Sequence, residues 1–386
     1  MNRILLIGNY PPDRQHSMLR YSEWLKGILN ERRFEAELFQ PAAMFGKLAK
    51  PDHPGQKLLG YIDKFLVFPS MLLARAGRYD LIHICDHTNA PYRLFARGIP
   101  VAITCHDMIG IKGMLGEFDR PRPRWSGRLL QKWALSSLKK IKFACCVSEN
   151  TREDLERLAP SAERQCRVIP NPVIGFSPMA PGEAEHELRS AGIDPDAPFF
   201  LSIGNNIWHK NRAGILRIFA ETLKRPQLAG MQLICAGAEL STELKKLTSE
   251  LGIAPRVREV LFPSNSLVRA LYSRAAALLF VSLYEGFGWP IVEAQACGCP
   301  VIISNREPMI SIAGEPAVIV DPALPAEAAR IIADRWQWMK SQSDASIRNA
   351  SRFSQERATD DYVAFFCTAL KETANEPLGF ASKEAP

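Results

Sequence analysis

Short apolar runs alternate with longer amphipathic segments along nearly all of this chain, which limits it to few folds. A short apolar run bounded by turn residues reads as a buried strand, and a segment with 3.6-residue periodicity reads as a helix. Strand following helix following strand favours parallel pairing, because the chain must cross back over the sheet before lying beside its predecessor. In the first half the pattern predicts strands over residues 3–8, 80–85, 101–104, 143–147 and 167–169. Helices are expected over 17–29, opened by Ser17 as cap, and over 149–158, opened by acidic residues. The second half restarts with strands at 199–203, 232–236, 277–283 and 301–304. Its helices are expected at 212–222, 266–275 and 290–296, and a last one runs over about 355–370. The fold class is therefore α/β, with Rossmann-like, doubly wound parallel sheets.

A chain of 386 residues exceeds one ordinary domain. The restart of the pattern divides it into residues 1–175, completed by the C-terminal helix 355–375, and residues 176–354, with a frayed tail at 376–386. The proline-bearing stretch from Pro170-Asn171-Pro172 to Pro198 reads as the linker. Charge follows the same division. Residues 1–175 carry 27 Lys and Arg against 17 Asp and Glu, whereas residues 176–386 carry 21 against 24. The basic half has no recognition helix, zinc finger or stacking platform, so nucleic acid is not expected, and an anionic membrane surface is the better candidate partner.

Residues 57–78 and 125–142 are the segments that would meet such a surface. The first sets an apolar stretch among Lys64, Arg75 and Arg78; the second sets Arg128, Lys132, Lys139, Lys140 and Lys142 among Leu and Trp. No apolar run reaches the roughly 18 residues that span a bilayer. The first eight residues read as a strand stopped by Pro11 and Pro12, not as a signal peptide, and the expected location is cytoplasmic, peripheral on the inner face of the membrane. The nine cysteines show no C-x-x-C pair and are expected to be buried, reduced thiols.

The richest chemistry lies in Glu285-Gly286-Phe287-Gly288-Trp289-Pro290-Ile291-Val292-Glu293, between a strand and a helix. In open parallel sheets ligands bind beyond the carboxyl ends of the strands, where this loop falls. The two glycines let backbone N–H groups approach an anion, Pro290 suits a first helical turn, and a phosphate can rest on the helix N-terminus. Glu293 falls in that first turn, placed to accept from sugar or ribose hydroxyls, and Glu285 ends the strand.

The run EGFGWPIVEAQACGCPVI closely resembles the signature of the retaining GT-B glycosyltransferases of family 4. The likeness extends over most of the chain through IGNNIWHKN (203–211), CVSENTREDL (146–155), IPNPV (169–173) and ITCHDM (103–108). It implies two Rossmann-like domains facing a central cleft. It also implies that Glu293 holds the donor ribose, that Glu285 sits by the transferred sugar, and that the backbone amides from Gly286 to Val292 touch phosphate and sugar hydroxyls. The implied reaction moves a hexose from GDP-mannose or a UDP-hexose to a glycan or lipid-linked oligosaccharide, as in surface polysaccharide synthesis, with the nucleotide sugar as substrate and no cofactor or metal.

Three further positions follow. Lys210, just past the first strand of the second half, can neutralise a leaving diphosphate, and the resemblance places a lysine there for that purpose. The arginine that family members often carry a few residues earlier is replaced here by Asn205 and Asn206, and Arg212 is the candidate second cation. His106 follows the strand at 101–104 and resembles a residue that hydrogen-bonds the donor sugar. Asp86 and His87 end the neighbouring strand and are candidates for the acceptor side. The first loop departs from the family: of its adjacent glycines only Gly8 remains as a phosphate contact, and Arg14, Gln15 and His16 are expected to select the acceptor instead.

The rival readings are weaker. A metal-dependent transferase would carry Asp-x-Asp after a buried strand, and Asp194-Pro195-Asp196 precedes its strand. A dehydrogenase would carry G-x-G-x-x-G after the first strand, where this chain has Gly8-Asn9-Tyr10-Pro11. A GT-B sugar-nucleotide epimerase and a non-catalytic GT-B scaffold share the architecture. The base-reading loop is expected at residues 260–264.

Overall fold

The computed structural model of the chain describes residues 1–48 and 54–375, so the tail expected at 376–386 lies outside the described residues. Two compact units divide it. The first comprises residues 1–169 and 358 onward, the second residues 170–357, so the chain changes unit at Ile169/Pro170 rather than after residue 175.

The first unit holds β1 (Arg3–Ile7), β2 (Glu35–Phe39), β3 (Leu81–Ile84), β4 (Val101–Cys105), β5 (Phe143–Cys146) and β6 (Gln165–Val168). They form one sheet in the order β2-β1-β3-β4-β5-β6, each neighbouring pair parallel. Central strands such as β1 are buried on both faces, which is why they read as continuous apolar runs. The helix expected at 17–29 spans His16–Glu31 and is preceded by Gln15 with no side-chain cap bond, so Ser17 lies inside the first turn rather than capping it. Ser148, by contrast, caps Glu149–Leu158 by accepting from the Thr151 amide at 3.1 Å.

The last helix, Gln355–Asn375, buries Tyr362, Phe365, Phe366 and Ala369 against this unit. The Tyr21 hydroxyl donates to that of Tyr362 at 2.7 Å and lies 2.8 Å from Thr104 Oγ1, joining helix to sheet through a satisfied buried network.

The second unit holds β7 (Phe199–Gly204), β8 (Gln232–Gly237), β9 (Val257–Leu261), β10 (Ala277–Phe280), β11 (Val301–Ser304) and β12 (Ala317–Val320), ordered β12-β11-β10-β7-β8-β9 and wholly parallel. The stretch read as a linker contains a helix, Pro181–Ser190, that belongs to this unit. Ala184 and Leu188, one turn apart, are its buried face. The Ser273 hydroxyl accepts from the Met179 amide, and Arg269 donates to the Ser177 and Pro178 carbonyls, so the preceding segment is fastened down. Asp194 and Asp196 make a turn before β7, with the Asp196 amide on Asp194 Oδ1 at 3.0 Å.

In each unit the strand order reverses once, between β1 and β3 and between β7 and β10. The loops leaving those strand pairs diverge to opposite faces and open a crevice, which is where such sheets bind ligands.

Candidate active site

At the reversal in the second unit, the segment after β7 and the segment after β10 are joined at several points. The Leu283 amide donates to the His209 carbonyl at 2.7 Å, and His209 Nδ1 donates to the Tyr284 carbonyl at 3.0 Å. Asn211 Nδ2 donates to the Val281 carbonyl at 3.0 Å, while its Oδ1 caps the helix Arg212–Thr222 by accepting from the Gly214 amide. Lys210 and Glu285 are thereby presented side by side. Lys210 Nζ lies 2.8 Å from Glu285 Oε1 and 5.0 Å from the centre of the Phe280 ring, with both charged side chains mostly buried. The cation is thus held between a carboxylate and an aromatic face before any ligand arrives.

Gly288, at φ +102°, turns the chain into the helix Trp289–Ala296. Only a residue without Cβ enters that conformation cheaply. Within the helix the donor inventory is narrower than the sequence reading supposed. Pro290 has no N–H, and the Ile291 amide donates to the Gly288 carbonyl at 2.9 Å, so neither offers a donor to a phosphate. Ile291 and Val292 are core, Phe287 packs edge-on against Phe353, and Trp289 donates its indole N–H to the Pro172 carbonyl at 3.0 Å. Glu293 is buried and accepts from the Tyr272 hydroxyl at 3.3 Å. Burial first, and the neighbouring Glu293 carboxylate second, push the Tyr272 hydroxyl well above its usual range, so it remains a donor.

Arg212 is not an exposed second cation. It is 4% exposed, and its Nη2 donates to the Gly204 carbonyl at 2.7 Å and the Ala236 carbonyl at 3.1 Å, tying together the ends of β7 and β8. Asn205 is exposed and accepts from the Ile207 amide through its own side chain. The loop expected to read the base presents Phe262, 78% exposed at φ +44°, with its N–H on the Gly237 carbonyl at 3.0 Å.

At the reversal in the first unit, Asp86, His87 and His106 come together with Asn9. Asp86 Oδ2 accepts from Asn9 Nδ2 at 2.7 Å, and Oδ1 accepts from the Thr88 amide and hydroxyl at 2.8 and 2.9 Å. Burial alone would raise the Asp86 pKa, but His87, His106 and these hydrogen bonds outweigh it and hold the carboxyl below its usual value. His87 Nδ1 lies 3.5 Å from Asp86 Oδ1. His106 Nε2 donates to the Cys85 carbonyl at 3.0 Å, and its ring meets Tyr21 edge to face at 4.7 Å. Burial lowers the His106 pKa despite the opposing pull of Asp86, so the ring is neutral at pH 7 and Nδ1 bears the lone pair.

Gly8 does not serve as a phosphate donor. Its amide extends the β1–β2 ladder to the Phe39 carbonyl at 3.1 Å, and a Cβ there would stand 2.9 Å from Gln40 Oε1. A side chain there would have to displace the Gln40 amide. Gln15 turns its side chain back to Asn9, whereas Arg14, just before it, and His16, at the start of the helix, are exposed. Sequence reasoning missed Asn9, His209, Phe280 and Tyr272. Asn9 was within reach of the strand-end rule that singled out Asp86; Tyr272 carried no local signal at all.

Residues 183–352 match the family model of the glycosyl transferases group 1, and residues 30–174 match that of glycosyltransferase family 4. The chain is a GT-B glycosyltransferase of family 4. Among relatives of this glycosyltransferase, the D-inositol 3-phosphate glycosyltransferase of Thermobifida fusca is 29% identical over 82% of this chain and 76% of that protein. Among solved structures, sucrose-phosphate synthase from Thermosynechococcus elongatus superposes with a TM-score of 0.77 at 19% identity, over 97% of this chain and 100% of that one. HepE from Anabaena, in complex with UDP and glucose, gives 0.70 at 16% identity, over 95% of this chain and 100% of that one. Among the described residues of the glycosyltransferase, no helix is long and apolar enough to cross a membrane.

Proposed function

We propose that the enzyme transfers a hexose from a nucleotide sugar to an acceptor hydroxyl with retention of anomeric configuration and without a divalent metal. The observation that carries this reading is the Lys210–Glu285 pair at the strand reversal of the second unit, beside the start of the helix that bears Glu293. Negative charge grows on the diphosphate as the sugar departs, and a preset cation stabilises that state without reorganising at the moment of reaction. In this assignment Lys210 meets the diphosphate, Glu285 meets sugar hydroxyls while orienting Lys210, and Glu293, oriented by Tyr272, takes the ribose. Phe262 offers an exposed ring for stacking on the base. His106, being neutral, serves as a hydrogen-bonding group and not as a nucleophile.

The acceptor attacks on the face that the diphosphate leaves. The C–O bond to phosphate breaks, the new glycosidic C–O bond forms, and the departing phosphate oxygen takes the acceptor proton. A double displacement would need a carboxylate beneath the anomeric carbon, and Glu285 is already committed to Lys210. Proton NMR of the product from α-linked UDP-glucose or GDP-mannose tests this reading. An α-linked product formed undiminished in EDTA is expected; a β-linked product overturns retention, and activity abolished by EDTA overturns metal independence. Donor incubated alone should not isomerise, which separates transfer from epimerisation.

The acceptor we favour is a glycan or lipid-linked oligosaccharide, met at an anionic membrane surface. Its support is the segment around Trp125–Leu138, where Trp125 is 78% and Leu129 60% exposed among exposed Arg120, Arg122, Arg124, Arg128 and Lys132. Residues 57–78 are the poorer candidate: Lys64 is paired with Asp13 and Arg75 with Glu37, and the Lys57 side chain lies outside the described residues. Each cation near such a surface contributes on the order of 1 kcal/mol. In liposome flotation at low salt the enzyme should rise with anionic but not with neutral vesicles, and equal recovery with both would sink the membrane assignment. A phosphorylated polyol is a second acceptor class, favoured by the name of the inositol phosphate relative. Transfer to free inositol phosphate with no vesicle dependence would select it.

A further inference from the structure

We propose that Cys146 and Cys166 are a reversible dithiol–disulfide site in the first unit, oxidised by hydroperoxides. Cys105 on β4 lies directly opposite Cys146 on β5, and Cys166 on β6 lies opposite Ala144, so all three thiols share one face of the sheet. The Cys146 and Cys166 sulfurs are 3.5 Å apart. Most of the nine cysteines are buried and isolated from solvent, but Cys166 is half-buried on an edge strand, where an oxidant can reach it. Cys146 is buried behind it, shielded from over-oxidation and already in contact with the sulfur it would attack.

The electrostatics favour the same order of events. The hydrogen bond with the Cys146 thiol lowers the pKa of Cys166, burial and then Glu156 oppose it, and Arg164 and Arg152 make smaller contributions in the lowering direction. Cys146 is raised by its thiol neighbours and by burial, and so keeps its proton until the second step. The Cys166 thiolate attacks the O–O bond of the peroxide. An S–O bond forms, the O–O bond breaks, hydroxide leaves, and Cys166 becomes a sulfenic acid. The Cys146 sulfur then loses its proton to that hydroxide and attacks the sulfenic sulfur. The S–S bond forms, the S–O bond breaks, and hydroxide departs, neutralised by the proton that Cys166 released on ionising. Two thiols are oxidised and one hydroperoxide is reduced to water and, for an organic peroxide, an alcohol.

Cys166 stands diagonal to Cys146, which faces Val168, so closing the sulfurs to a bond of about 2 Å requires the end of β6 to be displaced relative to β5. An edge strand held on one side permits this, and β6 runs through Ile169 into Pro170, where the second unit begins. The bond therefore acts on the strand that leads from one unit to the other.

The test treats the full chain with dilute hydrogen peroxide, quenches with an alkylating agent, and maps peptides without reduction. A Cys146–Cys166 cross-linked peptide with the loss of two hydrogens is expected, reversed by dithiothreitol, absent in Cys166→Ser and retained in Cys105→Ala. In Cys146→Ala, a dimedone probe should capture a sulfenic acid on Cys166 that does not accumulate in the parent. Recovery of both thiols alkylated, of Cys166 as sulfinic acid beside a free Cys146, or of Cys166 bonded to another cysteine would each overturn the proposal. Cys166→Ser alters only a half-buried edge position, so it keeps the comparison interpretable if Cys146→Ala fails to fold.

Discussion

Replacing Lys210 by alanine should lower kcat by about 10²- to 10³-fold, the range for losing one preorganised charge at a developing oxyanion. The loss should fall mainly on kcat because the diphosphate gains charge as the sugar leaves, so the ammonium contributes more to the transition state than to the bound donor. The same substitution also strips Glu285 of its partner at 2.8 Å and leaves a mostly buried carboxylate uncompensated. Glu285→Gln is therefore the necessary companion. It preserves shape and releases Lys210 from its ion pair, so a double-mutant cycle separates the charge on the leaving group from the positioning of the lysine. Steady-state rates with saturating donor decide the matter. A Lys210→Ala enzyme with kcat/KM within about twofold of the parent would mean that the leaving-group cation lies elsewhere.

Gly237→Ala should unfold or severely loosen the second unit. Gly237 ends β8 at φ +115°, opposite Gly204 at the end of β7, and a Cβ there would stand 2.3 Å from the Gly204 carbonyl oxygen. That oxygen cannot move aside cheaply, since it accepts from Arg212 Nη2 at 2.7 Å and from the Ala238 amide at 3.1 Å. Backbone strain of this kind costs up to roughly 3 kcal/mol, and the clash adds to it. The melting temperature of the second unit should fall by roughly 6–12 °C or more. Donor affinity should weaken with it, because Phe262 hangs from the Gly237 carbonyl. Gly230→Ala is the control, as a Cβ there meets open space. A Gly237→Ala protein melting within a degree of that control would refute the steric argument.

How much of this was legible without coordinates depended on burial. The central strands β1, β3, β4, β7, β8, β10 and β11 are covered on both faces, so each announced itself as an apolar run. The central strand β5 was read as well, and of the edge strands β6 was read at 167–169 while β2, β9 and β12 went unread. An edge strand pairs on one side only and tolerates charge, as Glu35 and Glu37 show in β2 and Arg258 and Glu259 in β9, so these two leave no continuous apolar signal, whereas β12 reads AVIV and was passed over despite one. The helix Pro181–Ser190 was hidden for a related reason: its buried face is only Ala184 and Leu188, set in a proline-bearing stretch.

The α/β class, the position of Lys210 and Glu285 just beyond strand ends, and the family were all legible along the chain, because local pattern and motif spacing are properties of neighbouring residues. Which groups are already spent emerged from the packed fold. The Nη2 of Arg212 and the amides of Gly8 and Ile291 looked available along the chain, yet each is consumed by a backbone partner, two of them by residues distant in sequence. It alone also brought Cys166 against Cys146, and set Tyr272 on Glu293 and Phe280 under Lys210. A hydrogen bond or a ring contact depends on where two strands or a strand and a helix come to rest, and that register is fixed by packing of the whole sheet, not by any segment read alone.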